Sequence, residues 1–272
     1  MHFDKKPDIG LVFSGGGARG SYQVGAWKAM RELGLDKQVS IVSGASVGSI
    51  NGAAFIQGDY DQMEEFWREA SFETVFKSDF EGSNNYYFSL LKDFIKNKGV
   101  DVSPLKETIR EYLDEDKIQN SAIDFGIITY DLKKLNQIAL YKKDIPKGLM
   151  SEYIIASSTF PLFKPHTVND TKYLDGGISD NIPIELCLQK EGVNLIIIVD
   201  LGVMDSIFPS KIFSNYQLKR SRNVIEIKPS KHLGSLMYFE KEKSIRNMER
   251  GYEDAMNVLE KKLEGLIKSS VL

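Results

Sequence analysis

The sequence predicts an α/β fold in which a central, mostly parallel sheet is flanked by helices. Three observations carry that expectation. Strand, glycine turn and helix follow one another twice within the first 57 residues, the rhythm of parallel βαβ units. An uncharged, β-branched run at 194–199 reads as a deeply buried strand. The length, 272 residues, suits one large α/β core, so a single domain over 1–272 is expected.

The elements follow in order. Residues 9–13 are apolar and short enough for a buried strand, and Ser14-Gly15-Gly16-Gly17 is a tight turn into a helix over 18–33. Residues 39–42 form a second buried strand, and a helix opens at 46 and runs to 57. The stretch 59–118 reads as a helical insertion, with amphipathic segments at 60–70, 86–97 and 104–112. Its aromatics, Phe72, Phe76, Phe80, Tyr86, Tyr87, Phe88 and Phe94, suit either a lid or acyl-binding wall, or ordinary helix packing. Strands return at 123–130 and 137–141, joined by a hairpin-like turn over 131–136. A helix at 148–157, a proline-punctuated loop at 160–165, a helix at 183–190 and strands at 194–199 and 224–227 complete the core. A long helix at 238–268 closes the chain, with Ile245, Met248, Tyr252, Ala255, Leu259, Leu263 and Leu266 on one stripe. Packing against the sheet accounts for that stripe better than membrane attachment, because the polar face mixes both charge signs.

Composition excludes several functions. A net charge of −3 offers no overall attraction to nucleic acid or to anionic lipid, so peripheral membrane contact has to be local and largely apolar. Neither a signal-peptide core nor a run long enough to span a bilayer is present, and a cytoplasmic location is expected. The single cysteine, Cys187, reads as a small buried residue, and His2, His166 and His232 lack ligand spacing, so neither a metal nor another cofactor is expected. Oligomeric state is not legible.

Gly44-Ala45-Ser46-Val47-Gly48 matches G-x-S-x-G between an apolar strand and a helix of small residues. That context holds a serine at a sharp turn with its hydroxyl exposed, and makes Ser46 the candidate nucleophile rather than a simple helix cap. Gly15-Gly16-Gly17-Ala18-Arg19-Gly20 supplies a concavity of backbone N–H groups, the form of an oxyanion hole, with the Val47 N–H as a further donor. Arg19 either binds phosphate or orders this loop, or anchors the helix through a carboxylate. The same glycines, Gly15, Gly17 and Gly20, also fit a dinucleotide fingerprint with Asp36 as its ribose contact, but that alternative leaves Gly44, Gly48 and Asp175-Gly176-Gly177 without a role. None of the histidines has a motif around it. Asp175, followed by two glycines, is either a turn aspartate or a carboxylate presented directly to the serine; burial would raise its basicity.

As a set, these motifs resemble the patatin-like phospholipases of the bacterial type. Ala156-Ser157-Ser158-Thr159-Phe160-Pro161 and Asn181-Ile182-Pro183 are similar to that family's accompanying segments, and the likeness spans about residues 9–200. The resemblance implies a three-layer patatin-like fold and cleavage of fatty-acyl esters of phospholipids or other lipids through an acyl-enzyme. It makes Ser46 the nucleophile and Asp175 the general base, without histidine. The backbone of Gly15, Gly16 and Gly17, with Arg19 nearby, would be the oxyanion hole; Gly20, Gly44, Gly48, Gly176 and Gly177 support the loops. Calcium is not implied. A lipid-binding module with weak turnover is the remaining alternative.

Overall fold

The computed structural model describes residues 8–77, 86–203 and 223–269. His2, Phe80 and the side chains of Tyr86, Tyr87, Phe88, Leu263 and Leu266 lie outside the described set. In chain order the elements are β1 (Ile9–Phe13), α1 (Ser21–Glu32), β2 (Val39–Ala45), α2 (Val47–Gln57), α3 (Tyr60–Glu69), α4 (Phe72–Val75), α5 (Tyr86–Asn97), α6 (Ser103–Tyr112), α7 (Glu115–Asn120), β3 (Asp124–Asp131), β4 (Asn136–Tyr141), α8 (Met150–Ser157), β5 (His166–Val168), β6 (Thr171–Asp175), α9 (Ile184–Leu188), β7 (Leu195–Val199), β8 (Asn223–Ile227) and α10 (Lys241–Ser269). Among the described residues no helix is long and apolar enough to cross a membrane.

The strands form one mixed sheet of order β5-β6-β3-β2-β1-β7-β8, with β4 paired to β3. The centre is parallel, since β1 lies between β2 and β7 and β2 pairs with β3 in the same sense. These central strands are apolar on both faces. Ile9, Leu11 and Phe13 of β1, with Leu195, Ile197 and Val199 of β7, join the large core, while Val12, Ile196 and Ile198 face a smaller core under α9. Burial on both sides is why these strands read as unbroken apolar runs rather than alternating ones.

Helix α2 carries no charge, and every residue from Val47 to Ile56 is buried. A helix without a polar face has to sit inside the molecule. In α10, by contrast, Met248, Ala255 and Leu259 are buried while the rest of the described surface is largely polar. The described part of the predicted stripe, Ile245 to Leu259, therefore packs inward, against the core it shares with α1.

Two differences from the expected elements matter for the site. Strand β2 runs through Ser43 and Gly44 to Ala45, because the Ser43 hydroxyl donates to the Pro183 carbonyl and is satisfied in the core. Strands β5 and β6 are both additions. They form a hairpin through Asn169 and Asp170, both at positive φ, a conformation these two residue types tolerate.

One edge of β3 is divided between two partners. Residues 124–128 pair with β2 in parallel, and residues 129–131 pair with β6 in the opposite sense. Strands β2 and β6 therefore run toward each other along the same edge. The last residue of β2, Ala45, pairs with Ile128, and the last residue of β6, Asp175, pairs with the very next position, Thr129.

Candidate active site

Ser46 occupies the turn between β2 and α2 with φ 54° and ψ −131°, a conformation a side chain rarely adopts. Strain of this kind costs on the order of 1–3 kcal/mol and persists only where the surroundings over-determine it. The surroundings here are two backbone contacts. A Cβ on Gly44 would lie 2.3 Å from the Gly48 carbonyl oxygen, and one on Gly48 would lie 2.3 Å from the Phe13 carbonyl oxygen. The strand-to-helix turn thus closes onto itself and onto the end of β1. Gly48→Ala is expected to destabilise the fold by about 3 kcal/mol, as overpacking against rigid backbone does, measured by urea denaturation.

The head-on arrangement of β2 and β6 brings Ser46 and Asp175 together. Ser46 Oγ donates to Asp175 Oδ2 at 2.5 Å. The second carboxylate oxygen, Oδ1, accepts from the Gly177 N–H at 2.7 Å, and the Asp175 N–H donates to the Thr159 carbonyl at 2.7 Å. Where the two strand ends abut, the Ser157 hydroxyl spans the gap, donating to the Ile128 carbonyl and accepting from the Ser46 N–H. Ser158 Oγ donates to the Ser46 carbonyl. Burial of the Asp175 carboxyl raises its pKa from 3.8 to about 6, even though the bonds from Ser46 and Gly177 pull it down. A hydroxyl held this closely by a carboxylate of raised basicity is set for proton transfer.

The glycine loop follows β1 and passes beside this pair. Gly16, Gly17, Ser46 and Val47 line a common cavity. The N–H groups of Gly16, Gly17 and Val47 have no hydrogen-bond acceptor among the described residues. Two members of the expected oxyanion set are engaged elsewhere. The Gly15 N–H donates to the Asn181 carbonyl at 3.1 Å. The Arg19 guanidinium donates to the carbonyls of Leu201, Gly202 and Gly234, so of the alternatives for Arg19 it is loop ordering that the contacts support. Gly20 lies behind the loop against Val47 and Trp67, and Gly176 presses on the Ile128 carbonyl.

Asn181 stands in the sequence only as part of a segment, yet it joins both loops. Its side chain donates to the Gly15 carbonyl, and its Oδ1 sits against both Gly15 and Gly177. A buried network continues behind the glycines: Gln23 donates to the Ser14 carbonyl, Asn51 to Gln23 and the Gly20 carbonyl, and Trp67 to Asn51. Polar residues inside helices carry no sequence signal for this.

Neither described histidine approaches Ser46. His232 accepts from the Gly234 N–H and lies near Arg19, and His166 is paired with Glu152. The dinucleotide alternative fails on topology. Asp36 precedes β2, whereas the glycine loop follows β1, and since the two strands are parallel these points lie at opposite ends, roughly 16 Å apart along the strand. No group of acidic, histidine or cysteine side chains suited to a metal occurs among the described residues.

The cavity in front of Ser46 measures about 330 Å³, near the lower end of the range for small-molecule sites. Its walls are apolar, with Trp67, Val75, Leu105, Phe160, Phe163 and Phe239 among them, and no lysine or arginine lines it among the described residues. Part of the wall comes from the aromatic insertion, where Phe72, Val75 and Phe76 also form a small core with Phe163. The insertion's contribution to the wall is Phe66, Trp67, Val75 and Leu105, whereas of the aromatics named from the sequence Phe72 and Phe76 pack in that small core and none lines the cavity among the described residues.

The family profile described as patatin-like phospholipase matches residues 11–188. The chain is 28% identical over 207 residues to lysophospholipase NTE1 of Candida glabrata, and 27% identical over 201 residues to the patatin-like phospholipase domain-containing protein ZK370.4 of Caenorhabditis elegans. These alignments cover 75% and 72% of this chain but only 11% and 14% of those relatives, so the likeness is to one segment of much longer proteins. Among solved structures, VipD from Legionella pneumophila matches with a TM-score of 0.57 at 17% identity, over 94% of this chain and 67% of that one. Human GIVD cytosolic phospholipase A2, in complex with methyl gamma-linolenyl fluorophosphonate inhibitor and terbium chloride, matches with a TM-score of 0.53 at 13% identity, over 99% and 61%. At such identities the structures speak for the fold alone. The profile match, however, spans well over half the sequence and takes in the glycine loop, Ser46 and Asp175, and the chain belongs to the patatin-like phospholipase family.

Proposed function

We propose that the protein is a serine acyl hydrolase that cleaves fatty-acyl ester bonds of phospholipids or related lipids through Ser46 and Asp175. The observation that carries this reading is the 2.5 Å bond from Ser46 Oγ to a buried carboxylate, at the floor of an apolar cavity. Asp175 takes the hydroxyl proton as Oγ bonds to the ester carbonyl carbon. The resulting oxyanion is stabilised by the N–H groups of Gly16, Gly17 and Val47; with no cation in the cavity wall among the described residues, these dipoles and the α2 N-terminus supply the compensating charge. Collapse breaks the ester C–O bond, and the proton on Asp175 passes to the departing alcohol. Water then attacks the acyl-enzyme with Asp175 again as base, and the fatty acid leaves. Membership of the family supports lipid-ester hydrolysis; the dyad and the acyl-enzyme rest on the geometry.

The test is to assay short- and long-chain p-nitrophenyl esters and a phospholipid and lysophospholipid panel, and to locate the adduct of a fluorophosphonate by mass spectrometry. Turnover with the adduct on Ser46 is expected, and an adduct on another residue would remove the assignment. The pH dependence follows from Asp175, which acts as a base only when ionised. With its pKa raised to about 6, kcat/KM is expected to be flat above that pH and to fall about tenfold per unit below it. A limb near pH 4 would mean that the carboxylate is solvated.

A further inference from the structure

We infer that Asn51 and Trp67 are positioning residues for the oxyanion donors, acting through a buried hydrogen-bond chain that fixes both ends of the glycine loop. The catalytic consequence rests on the acyl-hydrolase reading; the chain itself does not. Trp67, on α3, lines the cavity, and its indole N–H donates to Asn51 Oδ1 at 3.0 Å. Asn51, on α2, is buried, and its amide donates to the Gly20 carbonyl at 3.0 Å and to Gln23 Oε1 at 2.8 Å. Gln23, buried on α1, donates onward to the Ser14 carbonyl at 2.8 Å. The chain therefore starts at the cavity wall and ends on the two carbonyls that flank the loop from Gly15 to Arg19.

Its polarity has one solution. An indole N–H only donates and a backbone carbonyl only accepts. Asn51 has to turn Oδ1 to Trp67, which directs its amide hydrogens to Gly20 and Gln23 and leaves the Gln23 amide hydrogens for Ser14. Reversing either amide would set oxygen against oxygen at an end of the loop, and buried amides are tolerated only when their groups are paired. The loop is bound closely to these anchors. The peptide between Ser14 and Gly15 is held on both sides, its carbonyl by Gln23 and its N–H by the Asn181 carbonyl. At the other end the Trp67 ring presses on Gly20, where a Cβ would lie 2.6 Å from Cζ2. Between the anchors lie Gly16 and Gly17, whose N–H groups have no acceptor among the described residues. Where those two donors point is set by the anchors, and an oxyanion donor is effective only within about 3 Å of the developing charge.

Turnover of p-nitrophenyl acetate reads the loop apart from the acyl wall, since its acyl group is too short to press on Trp67. Trp67→Phe keeps an aromatic wall and removes the N–H. It is expected to lower kcat for the acetate about tenfold, as slight misplacement of catalytic groups does, with KM and the limb near pH 6 unchanged. Asn51→Leu removes the whole chain and is expected to lower kcat about 10²-fold. The double variant should be no slower than Asn51→Leu alone, because both residues act through one chain. Losses that multiply, a Trp67→Phe effect confined to KM or to long-chain esters, or a limb that moves toward pH 4 would overturn the proposal. Asn51→Leu leaves three buried groups unpaired, so where it does not fold, Trp67→Phe decides by hydrogen–deuterium exchange over residues 14–20. Exchange faster by about fivefold is expected there, and unchanged exchange would overturn the proposal. Faster exchange in a protein whose wild type turns over no ester would support the loop assignment and count against the hydrolase reading instead.

Discussion

Replacing Ser46 by alanine is expected to lower kcat for ester hydrolysis by at least ~10⁴-fold, as loss of a nucleophile does in enzymes of this type. The neighbouring hydroxyls offer no substitute. Ser157 Oγ is held between the Ile128 carbonyl and the Ser46 N–H, and Ser158 Oγ donates to the carbonyls of Ser46 and Ile154. Each is fixed in a backbone role. The fold should be unaffected, because alanine meets the same positive φ that serine already tolerates and the Gly44 and Gly48 contacts remain. Thermal denaturation and fluorophosphonate labelling check the two halves separately: an unchanged melting curve with no label is the expected pair. Residual activity above a hundredth of wild type would mean that another group attacks the ester.

Asp175→Asn is expected to reduce kcat by about 10³–10⁴-fold while making the protein more stable at neutral pH. Asparagine can still accept from Gly177 through its carbonyl oxygen, but it cannot take a proton from Ser46. The stability change follows from the titration. The folded-state pKa of about 6 lies above the unfolded value of 3.8, so the native state binds this proton more tightly. The contribution of Asp175 to stability is therefore fully present below pH 3.8 and is lost as pH rises through about 6. Above that, the buried charge costs at most roughly 3 kcal/mol, since each tenfold change in proton affinity corresponds to about 1.4 kcal/mol. The neutral asparagine escapes that cost. Urea denaturation of both proteins from pH 4 to 8 should show a gap that opens with rising pH, and a variant less stable than wild type at pH 8 would contradict the account. His232→Ala serves as the contrast, with turnover and its limb near pH 6 retained. Loss of that limb with His232 would restore a histidine base.

Local chemistry explains which parts were readable from the chain. Strands β1 and β7 are apolar at every position because both faces are buried, and α2 lacks a charge because it is enclosed. Such segments leave one interpretation each. The three residues of β5 leave several, since His166 and Val168 are buried around an exposed Thr167 and only the Asn169-Asp170 turn marks the hairpin. Arg19 shows a different limit. Its place in the glycine motif suits phosphate binding as readily as a structural role, and only the distant carbonyls at 201, 202 and 234 separate the two. Gly15 carries the same lesson, because a backbone N–H is a candidate donor until its neighbour in space is known.

What the amino-acid order determined by itself is the set of short-range devices: the alternation of apolar strands and glycine turns, the serine between Gly44 and Gly48, the carboxylate before Gly176 and Gly177. Each is a short stretch whose local conformation calls for those residue types, so each is written in consecutive letters even where, as at Gly48 and Gly176, the close neighbour lies far along the chain. The tertiary structure alone decided that β2 and β6 meet head-on along one edge of β3, which places residues 129 apart in sequence within one hydrogen bond. It also decided that Asn181 joins the two loops and that the aromatic insertion walls the cavity. Pairing between distant strands is set by which faces can be buried together, and that sum over the whole core leaves no mark at any single position.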